Sequence, residues 1–247
     1  MTFHHQGVPR TPPLGTCQPA HSLQNLSRTS LCSATSSTFC RKILHPRHVR
    51  SVPGWTVITA LLPPLLIVGG SAIAATLQPL PFNQVHYSIS QLAAHGATDR
   101  WIMNLFILGA SLCTVLSAVG LRTVRMAGRL TLAVSGLAAI GVVAFPDQWI
   151  GGHPAPVDAT DHHTVSAWVV FLAAALWPTL AANHTGPLRL RWGLGLSAIQ
   201  LAPAGWKITQ DVNHGDYLGL SERVLLGLEG LVLLAVVLMA RRQVAHR

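Results

Sequence analysis

The sequence predicts an all-α polytopic membrane protein: a bundle of six transmembrane helices with both termini on the cytoplasmic side. Three observations carry that expectation. Charged residues make up only 10% of the 247 residues, 50% are hydrophobic, and the mean hydropathy is +0.43, whereas soluble domains carry about 25% charged residues. The apolar residues gather in six long runs rather than in short amphipathic stripes. The basic residues collect between alternate runs, as in chains whose positive loops stay in the cytoplasm.

Residues 1–53 are rich in Ser, Thr, Pro and His, carry Arg10, Arg28, Arg41, Lys42, Arg47 and Arg50, and contain no acid. Without periodic apolar runs they bury no core, so they read as a disordered basic cytoplasmic tail ahead of a membrane domain at 54–242. A basic, Ser-rich, acid-free leader also fits a transit peptide, or translation read from a start placed too early.

The first run, about Trp55 to Leu77, contains Pro63-Pro64, which predicts a kink that neighbouring helices can tolerate. Its end, SAIAATLQP, has the small residues of a signal-peptide cleavage site. The run exceeds the roughly 7–15 residues of a signal core and its leader is too long, which favours a retained helix. Span two covers about Trp101 to Leu121, and a basic turn from Arg122 to Arg129 leads to span three, Leu130 to Phe145, stopped by Pro146. Span four runs from His162 to Ala182 with Asp161 as its expected N-cap. Spans five and six are placed at Trp192 to Ile208 and Glu222 to Ala240, the latter closed by Arg241-Arg242.

With the N-terminus inside, 14 of the 17 Lys and Arg fall on the cytoplasmic side, leaving Arg100, Lys207 and Arg223. Seven of the eight acids sort to the other face, and the eighth, Glu229, sits two turns inside span six. Trp55, Trp101, Trp149, Trp192 and Trp206 lie near span ends, as an aromatic belt requires. A net charge of +9 alone would admit nucleic acid as a partner. Its placement around apolar spans instead implies a lipid bilayer and no nucleic acid, in a bacterial inner or plasma membrane. Cys17, Cys32, Cys40 and Cys113 show no CxxC spacing, so neither a disulfide framework nor a zinc knuckle is read.

Several short motifs stand at span ends: YSISQLAAHG, WIMN, GLR closing span two, GR opening span three, FP closing it, DHH opening span four and LSER opening span six. In that order the chain resembles the DUF998 family of bacterial and archaeal membrane proteins over about Trp55 to Arg242. Leu92-Ala93 stands where the family's usual pair is Leu-Gly. The resemblance implies a six-helix integral membrane fold and no activity.

The candidate chemistry gathers at the outer face. The stretch DQWIGGHPAPVDATDHH, Asp147 to His163, sets His153, Asp161, His162 and His163 between apolar spans, ligand types that zinc or another divalent metal uses. No HExxH or spaced histidine pair is present, and adjacent His162 and His163 point about 100° apart on a helix. Glu222 and Glu229, seven apart, share one face of span six. Glu222 beside Ser221 reads as a helix-terminal acid, whereas Glu229 should face the bundle with a partner, drawn from Arg223, Asn104 or a histidine. Ser88 and Ser90 are either nucleophile candidates or caps of a short outer helix. Gly193, Gly195, Gly227 and Gly230 are read as close-approach positions. Together Ser88, Ser90, Asn104, Asp161, Glu222, Arg223 and Glu229 are expected around one outward-facing polar pocket that binds a lipid, small molecule or metal. The alternative is a metal-dependent hydrolase acting on a lipid or envelope substrate. That arrangement is loosely similar to the alkaline-ceramidase and adiponectin-receptor group, whose histidine spacing is missing here. A transporter or haem protein ranks last, because the histidines cluster at span ends and no inverted repeat is evident.

Overall fold

A computed structural model describes residues 51–79, 81–147, 161–184 and 188–245, apart from the side chains of Asp161, Val244 and Ala245. Residues 1–50 of the expected tail and the stretch holding Trp149, His153 and Asp158 lie outside the described residues, whereas Val52, near the end of that tail, is buried in the core. Among the described residues six α-helices follow one another: α1 Trp55–Thr76, α2 Arg100–Gly120, α3 Met126–Ala144, α4 Asp161–Ala181, α5 Leu190–Val212 and α6 Leu218–Ala245. A 3-10 turn, Ser90–Ala93, lies between α1 and α2, and no strand occurs among the described residues.

Each helix packs on its neighbours in sequence, and α6 returns to α1, so the six close a ring. Hydrogen bonds between connections sort the helix ends. At one end the Arg125 N–H donates to the Ala181 carbonyl at 3.2 Å. At the other, the His95 N–H donates to the Asp147 carbonyl and the Leu220 N–H to the Val85 carbonyl, both at 2.9 Å. Arg122, Arg125, Arg129, Arg189 and Arg191 belong to the first, basic end; Asp99, Asp147, Asp211 and Asp216 belong to the second, acidic end.

Five helices, all but α5, are long and apolar enough to cross a membrane. The ring's outer surface explains why: Val68 and Leu231 are 62% and 63% exposed, and Ile58, Leu105, Leu112 and Leu137 lie bare beside them. Apolar surface on that scale is covered by lipid rather than water, and the chain is a polytopic helical membrane protein. α5, at 23 residues, is longer than every other helix but α6, yet it carries its polar residues inward. Gly193, Ser197, Gln200, Ala204 and Lys207 recur at intervals of four and three along its buried face, while Trp192, Leu194 and Ile199 face out. Lys207 is neutralised one turn on by Asp211, 2.6 Å away.

Two of the four glycines expected at close approaches are found there. A Cβ on Gly193 would lie 2.6 Å from the Pro178 carbonyl, and one on Gly230 would lie 2.8 Å from the Pro64 ring. Gly195 and Gly227 have nothing within 4 Å of that position, so close packing is not their role. α1 continues as one helix through Pro63 and Pro64. α6 begins at Leu218, four residues ahead of the expected start at Glu222, because its first turn is capped by another part of the chain.

Candidate functional site

The motifs at the helix ends meet in pairs. At the acidic end, the segment 85–91 sits on the start of α6. The Gly219 and Leu220 N–H groups, which the helix itself leaves without partners, donate to the His86 and Val85 carbonyls at 3.3 and 2.9 Å. In return, Glu222 Oε2 accepts the Ile89 N–H at 2.9 Å, and Arg223 Nη1 donates to the Tyr87 carbonyl at 3.0 Å. Neighbouring side chains of opposite charge thus take opposite backbone groups of the same segment. Ser88 and Gln91 complete it as a reciprocal capping box, with Gln91 N–H to Ser88 Oγ at 3.3 Å and Ser88 N–H to Gln91 Oε1 at 3.1 Å.

The other motif pairs are clasps of the same kind. His163 Nδ1 lies 2.9 Å from the Phe145 carbonyl at the end of α3, which assigns the Nδ1–H tautomer to a hydrogen bond there. At the basic end, Arg129 Nε and Nη2 donate to the Ala118 and Val119 carbonyls at 2.9 and 3.2 Å. Those carbonyls belong to the last turn of α2, where a cation is favoured.

Inside the ring, α1, α2, α3, α4 and α6 enclose a cavity of about 130 Å³, to which Ile89 and Ser90 contribute from the acidic end. No residue of α5 lines it. Its walls are apolar, with Ile107, Leu132, Phe171, Trp177 and Leu233 prominent, and its ionisable residues are both acids, Glu222 and Glu229. Three of the lining hydroxyls are occupied: Ser111 donates to the Gly136 carbonyl at 2.6 Å, Thr114 to Ala110 at 2.9 Å and Ser135 to Val170 at 2.9 Å. Glu229 differs from all of these. It is 9% exposed, and its Oε1 is buried with no hydrogen-bond partner among the described residues. A carboxylate within a span costs about 2.5–3.5 kcal/mol on insertion scales, and an unpaired buried polar atom about 1–3 kcal/mol. These costs make Glu229 the candidate site residue of the cavity.

The residues singled out from sequence therefore separate. Ser90, Glu222 and Glu229 line the central cavity. Arg223 lines a second cavity, between α1 and α6, and is no partner for Glu229. Ser88 is held in its capping box. Asn104 lines neither cavity, and its Oδ1 is buried without a partner among the described residues. His162 is exposed beside the Phe145 ring, 5.2 Å between centroids, and His163 is buried against the Phe145 backbone. The first turn of α4 lies on the end of α3 rather than across the ring, so the histidine pair and the two glutamates do not share a pocket. Among the described residues no three His, Cys, Asp or Glu are grouped to hold a metal ion. His153 and the Asp161 side chain lie outside them. Glu222 caps the segment 85–91 instead of its own helix, since α6 starts one turn earlier. Sequence reasoning missed Trp177, Phe171 and the hydroxyls of the cavity wall. Ser111 and Thr114, three apart in an otherwise apolar run, were the available signal.

A family profile, DUF998, described as a protein of unknown function, matches residues 60–239. No curated protein and no solved structure matches the chain.

Proposed function

The chain belongs to the DUF998 family, and from that premise we propose that it binds a lipid or other small amphipathic molecule within the membrane, with a hydrogen-bond donor of the ligand meeting Glu229. The protein is read as residing in a bacterial plasma membrane with both termini cytoplasmic and the Glu222 end outward. The observation that carries the reading is the unpartnered Glu229 Oε1 in a cavity where the Ser111, Thr114 and Ser135 hydroxyls are already engaged. Apolar walls with one or two convergent polar groups suit an amphipathic guest. Both acids also favour a ligand that brings a hydroxyl, amide or amine rather than an anion. The hydrolase reading has less support, because Ser90 and the described histidines stand apart.

The test is mass spectrometry of organic extracts of the purified full chain, wild type against Glu229→Leu, a change that keeps volume and removes the acceptor. A small molecule retained near one per chain by the wild type and lost from the folded variant is the expected result. Equal retention by both would overturn the reading.

A further inference from the structure

We propose a second binding site, separate from the central cavity, in which Arg223 receives the phosphate or carboxylate head of a membrane amphiphile whose tail runs between α1 and α6. The cavity there is also about 130 Å³, and Arg223 is the one charged residue in its lining, with Ser71, Gln84, Leu226 and Gly227 around it. Arg223 Nη1 is fixed by the Tyr87 and Gly219 carbonyls at 3.0 and 2.9 Å, which anchors one nitrogen of the guanidinium. Its Nε and Nη2 are buried and have no hydrogen-bond partner among the described residues. Nε and Nη2 form one edge of the guanidinium, the fork that matches two oxygens of a carboxylate or phosphate. Two neighbouring groups are otherwise engaged. Ser71 Oγ donates to the Val68 carbonyl at 3.0 Å, and Glu222 accepts the Ile89 N–H and lines the other cavity.

The space for a tail comes from Gly227, one turn further along the same face of α6, where nothing lies within 4 Å of a built Cβ. Val68 and Ala72, also in the lining, are exposed, so the cleft opens on the apolar outer surface of the ring. Arg223 stands five residues into α6, about 7–8 Å from its start at 1.5 Å per residue. A head there and a tail towards Gly227 follow the direction in which a lipid enters a bilayer. The charge is opposite to that of the central cavity, so the two sites select different ligands.

Thermal unfolding of the full chain in a neutral maltoside detergent tests this with three probes: dodecyl phosphate, dodecanol and inorganic phosphate. Dodecyl phosphate is expected to raise Tm saturably, and the other two, which lack head or tail, are not. Gly227→Leu fills the tail volume and leaves Arg223 untouched, and it should raise the half-saturating concentration about tenfold or more. Arg223→Lys keeps the charge but loses the fork and should do the same. No response to dodecyl phosphate would overturn the site, as would a response unchanged in Gly227→Leu. Dodecanol acting as well as dodecyl phosphate would overturn the anionic head, and inorganic phosphate acting as well would overturn the lipid source. If Arg223→Lys fails to fold, Gly227→Leu decides.

Discussion

Single side chains divide into those that fasten the chain and those left unsatisfied. Ser88 and Glu222 fasten it. Ser88→Ala removes one half of the capping box and should cost about 1 kcal/mol. Glu222→Ala leaves the Ile89 N–H without its carboxylate and should cost more, about 1–3 kcal/mol. Thermal unfolding in detergent compares the two, and a smaller loss for Glu222→Ala would show that its hydrogen bond is not structural. That Glu229 faces the inside of the ring was legible in the sequence, since a carboxylate turned to lipid deep in an apolar run is costly, but the partner expected for it is not found among the described residues. The separation of Glu222 from Arg223 was not legible. Consecutive residues point about 100° apart on a helix, and which cavity each meets depends on how α6 is rotated when the ring closes against α1. No local pattern carries that angle.

At the level of helices, small residues and polar stripes decide how the ring is built. A Cβ on Gly128 would collide with the Ala181 backbone, whereas one on Gly195 meets nothing. Gly128→Ala should therefore destabilise by about 1–3 kcal/mol, while Gly195→Ala should be neutral or stabilise by up to about 1 kcal/mol through helix propensity. Similar melting temperatures for both variants would contradict the packing of α3 on α4. The order of the helices was readable from apolar runs bounded by Pro146 and by arginines, whereas α5 and α6 extend beyond the runs read for them, to 23 and 28 residues. The character of α5 was harder to read. Its Ser197, Gln200 and Lys207 lower its average apolarity, yet they share one buried face, and only the three-dimensional neighbours show that this face looks inward. The pairing of YSISQ with LSER, of FP with DHH and of GLR with GR was equally invisible, because each joins segments far apart in the chain or across a turn.

On the scale of the whole molecule, the arginines at one end and the acids at the other imply an orientation in the membrane. A reporter active only outside the cytoplasm should be silent when fused at Arg247 and active when placed after Gly152; activity at Arg247 would reverse the topology. Deleting residues 1–50 should leave membrane insertion and thermal stability unchanged, since their composition offers no apolar face to dock, and a marked loss of either would tie the tail to the ring. The central claim is that the ring encloses a ligand site governed by Glu229. Its most direct test is an experimental density map of the protein grown from a lipid mesophase. The account predicts non-protein density inside the ring, against Phe171 and Trp177, with a donor atom within hydrogen-bond distance of Glu229. A Glu229 carboxyl paired with another side chain, in a cavity closed by repacked walls, would contradict it.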